Sequence, residues 1–362
     1  MIIGTISGTH VQAQINSHIF LNTHTFLTGV TGSGKTDLLL KIIEETRTTE
    51  FIAKYSKVPI VIIDSQDEFL NVPEFYDDFV LFSREQFPKI FSPEDAYKLG
   101  RHVRQMSLSM IVKISDIPEQ VNREIFVAEF VSGMASIERE HWNQCIMIVD
   151  ESDEWIPSRD KRKPKSKDVL INATKRARKT NMAIILATLH PTDVDIKARS
   201  NCVNRVVGKT VEPAYRKLAC QMLGDDSIFE KLWSLNKGEF FVKGDALSET
   251  IKQIQAFKSK ISRPDAGVQT KEPQTKQVYH DIISSAVESK SREPYVVQLE
   301  HKLNELQSLY ILAKANEMTK EDQNRIRMQG FNEGYKQAHF ELTKRQKTIP
   351  KESALSKILR RL

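Results

Sequence analysis

The chain has 362 residues, 40% of them hydrophobic, which suffices for one large domain with an appendage and excludes a disordered protein. Lysine and arginine outnumber aspartate and glutamate by 53 to 47, and the resulting charge of +6 permits a polyanionic partner without requiring one. Three scattered cysteines, Cys145, Cys202 and Cys220, fit neither a disulfide framework nor a zinc site; no apolar run approaches a transmembrane segment and no secretory signal is apparent, so a cytoplasmic protein is expected.

In chain order, residues 1–22 alternate apolar and polar around Ser7-Gly8-Thr9, which predicts a short N-terminal β-hairpin. From residue 23 to 257, short β-branched runs alternate with helical stretches. The runs are Thr25–Thr28, Ile60–Ile63, Phe79–Phe82, Met110–Ile114, Ile146–Val149, Ala183–Ala187, Val203–Val207 and Glu239–Val242. Continuous apolar strands separated by helices predict an α/β domain whose mostly parallel sheet is covered on both faces. The clearest helices are expected over Pro118–Ser136 and Lys167–Lys179. Residues 258–277 are poor in large apolar side chains and read as a linker. Residues 278–362 read as a helical C-terminal appendage: Leu299, Leu303, Leu306 and Tyr310 lie on one helical seam, Thr319 is a candidate N-cap, and Arg360-Arg361 close a basic tail.

Gly29-Val-Thr-Gly-Ser-Gly-Lys35-Thr36 carries the spacing G-x4-G-K-[ST], with a predicted strand before it and a helix-forming run after it. The glycines Gly29, Gly32 and Gly34 let backbone N–H groups converge on phosphates at a helix N-terminus, where the helix dipole favours negative charge. Thr31 and Ser33 add further backbone donors. Lys35 is placed to reach the β- and γ-phosphates of ATP, and Thr36 to put its hydroxyl on Mg2+. Two predicted strands run into aspartate, at Asp64 and Asp150, but only Asp150 is followed at once by a glutamate, Glu151. A strand-end aspartate can hold magnesium while its neighbour orients and deprotonates water, so Asp150 and Glu151 favour hydrolysis over simple binding. Asp64, in Asp-Ser-Gln-Asp-Glu68, either sits near the nucleotide or caps a turn.

These pieces, taken with Arg176-Ala-Arg178-Lys179, Thr188-Leu-His190-Pro191, Cys202-Val-Asn204-Arg205-Val-Val-Gly208 and Leu235-Asn-Lys-Gly238-Glu239, resemble the HerA/FtsK superfamily of P-loop ATPases, and in particular its short HerA-like members. The resemblance covers about two-thirds of the chain and implies a RecA-like (ASCE) P-loop NTPase core, a homo-hexameric ring with ATP between subunits, and double-stranded DNA passing through it. It also implies a polar sensor where many relatives carry Thr-Gln. Here Thr188-Leu189-His190 has no glutamine, which leaves Thr188 or His190 for that role. An arginine reaching a neighbour's γ-phosphate is implied too, with Arg176 and Arg178 as local candidates and Arg205 next.

After Glu151 comes a basic stretch in which six of nine residues are cationic, Arg159, Lys161, Arg162, Lys163, Lys165 and Lys167. In a ring it would grip DNA phosphates without reading bases. The leading expectation is thus an ATPase that drives duplex DNA for packaging, transfer, segregation or end processing. The alternatives are a secretion or pilus-type ATPase, and a nucleotide-dependent scaffold whose C-terminal helices recruit a nuclease, capsid or transfer-complex partner.

Overall fold

The computed structural model describes residues 1–158, 164–264 and 272–288, within one compact unit spanning Met1–Lys290. The seam, N-cap and basic tail expected between residues 299 and 361 lie outside the described residues. So do Arg159, Lys161, Arg162 and Lys163 of the basic stretch.

Eleven strands form one sheet: β1 (Ile2–Ile6), β2 (Gln12–Gln14), β3 (Thr25–Thr28), β4 (Ile60–Asp64), β5 (Phe79–Phe82), β6 (Ser109–Lys113), β7 (Cys145–Val149), β8 (Met182–Thr188), β9 (Asn204–Val207), β10 (Glu239–Gly244) and β11 (Ser248–Ala256). Their order is β2-β1-β11-β10-β9-β3-β8-β7-β4-β6-β5. Pairing is parallel from β9 to β5 and antiparallel from β2 to β9. Strands β4, β5, β7 and β8 are buried along their whole length, as continuous apolar runs require when helices cover both faces. The N-terminal hairpin is present, but it extends the main sheet through β1 and β11 rather than standing apart.

Register brings the C-terminal ends of the parallel strands to one edge. Thr28 lies opposite Thr188 and Val207, and Val149 lies opposite Ile63 and Leu186. The chain therefore leaves β3, β4, β7, β8 and β9 on the side where α/β sheets bind ligands. The strand β8 separates β3 from β7, which opens room between the loops that follow those two strands.

The helices Gln120–Ala135 and Lys165–Thr180 match the two expected ones to within a few residues. A third, Pro93–Gln105, is begun by a capping box between Ser92 and Asp95, with proline in the first turn. The presumed linker is in part docked: Ile261 is buried, and the buried Glu272 accepts from Ser83 Oγ at 2.5 Å and pairs with Lys113 at 2.6 Å. The boundary expected at 278 falls inside the helix Gln277–Glu288, which packs on Pro93–Gln105 and buries Ile282, Ile283 and Val287. Among the described residues no helix is long and apolar enough to cross a membrane.

The entry to β3 is pinned by buried polar groups. Ile184 N–H donates to His24 Nδ1 at 2.9 Å, and Asn204 Nδ2 donates to Thr23 Oγ1 at 2.9 Å. Burial pushes the His24 imidazole down to about 4, so it folds neutral. The unfolded chain takes up this proton first as pH falls, so the stability tied to neutral His24 is complete above pH 6.5 and is lost toward pH 4. His24→Gln is expected to abolish roughly 3 kcal/mol of the fall in unfolding free energy between those pH values, checked by denaturant melts across the interval.

Candidate active site

Residues 29–34 join β3 to the helix Lys35–Glu45. Gly32 and Gly34 take φ of 77° and 100°, a left-handed region that suits glycine. A Cβ on Gly34 would stand 3.0 Å from the Gly238 nitrogen, so the loop and the β10 approach touch backbone to backbone. Gly238 N–H donates to Ser33 O at 2.8 Å, and Val30 N–H donates to Lys209 O at 2.8 Å. The loop is thus held open from outside by the segments after β9 and before β10. Thr31 and Gly32 are exposed at its tip, whereas Ser33 is buried.

Lys35 donates its ammonium to Gly29 O at 2.8 Å and is only 8% exposed. Burial pushes its pKa down, while Glu151, Asp150 and Glu68 act against that shift. Both residues of the Asp150-Glu151 pair therefore face the same ammonium as the phosphate loop. Asp150 is buried, and burial first, then Glu151, Asp64 and Glu68, push its carboxyl well above the usual range. Glu151 follows β7 with φ 43° and ψ 54°, a conformation uncommon outside glycine that turns the chain sharply at the strand end. Burial, with Asp153 adding to it, pushes Glu151 up to about 6, and Lys35 opposes the shift.

Asp64 caps a turn and also lies close enough to Asp150 for its charge to act there. Its fully buried carboxylate accepts N–H bonds from Gln66 at 3.3 Å, Glu68 at 3.2 Å and Phe69 at 3.1 Å, and burial pushes it up to about 7. The turn it holds presents Glu68, which accepts the Thr36 hydroxyl. Glu68 was quoted in the motif without a role; its signal was an acid four residues past a strand-end aspartate. Among the described residues no three His, Cys, Asp or Glu side chains form a self-contained metal cage. Magnesium at a phosphate site needs only one or two carboxylates besides phosphate oxygens, and the Thr36 hydroxyl with Asp150 fits that donor set. A divalent cation would also relieve the surplus negative charge that raises Asp150.

The two sensor candidates differ in setting. Thr188 is buried, its hydroxyl donates to Asp153 Oδ1 at 2.6 Å, and it accepts His190 N–H at 2.9 Å. The His190 ring is exposed and lies 3.1 Å from the Tyr215 hydroxyl. Asp153, three residues past Asp150, escaped notice in the sequence because nothing local pairs it with β8.

The helix Lys165–Thr180 starts beside the site, where Ser166 Oγ donates to Trp155 O at 2.9 Å. Its 16 residues span about 24 Å and end at the opposite sheet edge, next to the start of β8. Arg176 is exposed there on a groove shared with Trp142, Lys175 and Lys179, away from this chain's own phosphate loop. The Arg178 backbone belongs to the same turns of helix; its side chain lies outside the described residues. Arg205, the half-buried residue of otherwise buried β9, donates to Arg199 O at 2.6 Å. Of the basic stretch, Lys165 is exposed, whereas Lys167 is committed to Asp195 at 2.8 Å and to Pro157 O at 2.6 Å.

A phosphate loop and an acidic pair at the same edge of one mostly parallel sheet define a P-loop ATPase. Residues 1–203 match the family model described as "Helicase HerA, central domain", and the chain belongs to that family. Among solved structures, the genome packaging NTPase B204 from Sulfolobus turreted icosahedral virus 2 with ATP-gammaS is 16% identical, with a TM-score of 0.43 over 66% of this chain and 98% of that one. The pCW3 conjugation coupling protein TcpA with ATPgS is 16% identical, with a TM-score of 0.41 over 72% of this chain and 66% of that one. The cytoplasmic domain of the Thermomonospora curvata type VII secretion ATPase EccC is 14% identical, with a TM-score of 0.43 over 82% of this chain and 32% of that one. No curated protein matches the chain.

The contrast between Thr188 and His190 is measurable. Thr188→Val strands Asp153 and the His190 N–H, and is expected to lower ATP turnover by about ten- to a hundredfold with little change in ATP affinity. His190→Ala, at an exposed ring, is expected to leave turnover near wild type in the same steady-state assay.

Proposed function

We propose that this ATPase is a ring motor, a homo-hexamer that moves double-stranded DNA by hydrolysing magnesium-bound ATP. Lys35 and the backbone donors of Gly29, Thr31, Gly32, Ser33 and Gly34 hold the phosphates, and Thr36 with Asp150 holds the metal. When bound, magnesium neutralises charge on the β- and γ-phosphates. Glu151 orients the attacking water and takes its proton, a role suited to a carboxyl raised to about 6. Thr188, through Asp153, ties the end of β8 to the loop that carries Glu151.

The observation that carries the ring is the placement of Arg176. Lys35, Thr36, Asp150 and Glu151 gather at one sheet edge, while Arg176 stands exposed at the other, where only a second copy could bring it to a γ-phosphate. Arg178, in the same turn, is the second candidate for that contact. Membership of the HerA central-domain family and the run of cations from Arg159 to Lys165 support DNA as the polymer moved.

Two measurements check this reading. Glu151→Gln is expected to keep ATP binding while turnover falls at least about a hundredfold, and wild-type turnover is expected to rise on adding duplex DNA; a rate indifferent to DNA favours the secretion or scaffold alternatives. Alanine at Arg159, Lys161, Arg162, Lys163 and Lys165 together is expected to weaken DNA binding equally across sequences and to flatten its salt dependence, roughly one unit of slope per lost phosphate contact. An unchanged slope removes this stretch from the DNA path.

A further inference from the structure

A cation outside every motif reaches the phosphate loop from the segment after β11. Phe257 N–H donates to Ile3 O at 2.8 Å, Ser259 Oγ and Lys260 N–H donate to Glu44 Oε2 at 3.0 and 2.8 Å, and Asn71 Nδ2 donates to Ser262 Oγ at 3.4 Å. Ile261 is 4% exposed between these bonds. The strap 258–264 is thereby tied along the helix Lys35–Glu45, and it delivers Arg263 to the N-terminal end of that helix. Arg263 Nε donates to Asp37 Oδ1 at 2.9 Å, and its Nη1 stands 3.9 Å from Glu68 Oε1. Asp37 directly follows Thr36, and Glu68 accepts the Thr36 hydroxyl. The guanidinium therefore faces both acids that flank the Thr36 side of the site, close enough for its charge to act on Lys35.

The electrostatic need for such a cation is plain. A polyphosphate arriving at this edge meets Asp37, Glu68, Asp150 and Glu151 with Lys35 as the ammonium within the loop. Like charges at these separations repel strongly where water is partly excluded. Arginine suits the compensating role because its planar fork engages two carboxylates at once and stays charged at any physiological pH.

We infer that Arg263 is a positioning residue of the nucleotide site, acting within its own chain: by neutralising Asp37 and Glu68 it makes nucleotide binding and docking of the strap 258–264 mutually dependent. This rests on the ATP-site reading above. By linkage, the factor by which a docked strap tightens nucleotide equals the factor by which nucleotide tightens the strap.

The test uses the full chain and ATPγS, following both affinity and hydrogen exchange of the amides of residues 259–263. In wild type, ATPγS is expected to slow exchange in the strap. Arg263→Ala is expected to weaken ATPγS binding by about tenfold and to abolish that protection. Arg263→Lys, which keeps the charge and loses the fork, should fall between the two. Asp37→Asn in the Arg263→Ala background should recover part of the lost affinity, because it removes a carboxylate left with the more exposed Lys237, 3.4 Å away, as its remaining cation; a residue that served only to fasten the strap would show no such rescue. Wild-type affinity in Arg263→Ala, or a strap whose exchange ignores ATPγS in wild type, overturns the inference while leaving the nucleotide site intact. Lys35→Ala separates the two levels: if it binds ATPγS as tightly as wild type, the ATP-site reading itself falls and this inference falls with it.

Discussion

The structure is organised around acidic side chains crowded beside one ammonium. Asp64, Glu68, Asp150 and Glu151 crowd the edge where Lys35 is held, and the carboxyls of Asp64, Asp150 and Glu151 are all pushed upward by burial. Such an arrangement costs free energy in the absence of cations. It persists because the surrounding sheet and turns are over-determined: three backbone donors hold Asp64, Trp155 Nε1 donates to Asp150 O at 3.0 Å, and Lys35 rests on Gly29 O. Arg263, on the segment after β11, is one cation that meets this edge, 2.9 Å from Asp37 and 3.9 Å from Glu68.

Strand order turns that charge into geometry. With β8 between β3 and β7, the phosphate loop and the Asp150-Glu151 turn do not abut, and Thr188 emerges in the gap between them. The hydrogen bond from Thr188 to Asp153 spans β8 and the turn after β7, so a shift at either loop is felt at the other. The antiparallel half of the sheet has a different task. Through Lys209 and Gly238 it braces the phosphate loop from behind, which keeps the loop's left-handed glycines in place without help from a ligand.

Much of this was legible in the sequence where the signal was local. Continuous apolar runs reported the buried parallel strands, and the spacing of Gly29, Gly34, Lys35 and Thr36 reported the loop, because both depend on neighbours in the chain. β11 was missed since its polar alternation, Ser-Glu-Thr-Ile-Lys-Gln-Ile-Gln-Ala, reads as surface; only pairing with β1 and β10 makes it a strand. The helix Pro93–Gln105 carried a readable signal, Ser92-Pro-Glu-Asp95, that was passed over. Asp64 was ambiguous because a strand-end aspartate looks the same whether it meets a metal or caps a turn. Lys167 sat in a run of cations that looked uniformly available, yet Asp195, remote in sequence, claims it.

The segment expected to be a linker illustrates the limit most clearly, because its composition is poor in large apolar residues and yet residues 258–264 lie against the phosphate-loop helix. Glu44 on the phosphate-loop helix supplies the acceptor for Ser259 and Lys260, and Ile261, the one large apolar side chain of residues 258–264, is buried beside them. Burial of Ile261 adds about 1.5–3 kcal/mol to that attachment, so hydrogen bonds, charge and one apolar anchor act together. A polar composition with a single apolar anchor is thus enough to hold such a segment in place, because its acceptors lie on a helix more than two hundred residues earlier in the chain, where no local pattern reports them.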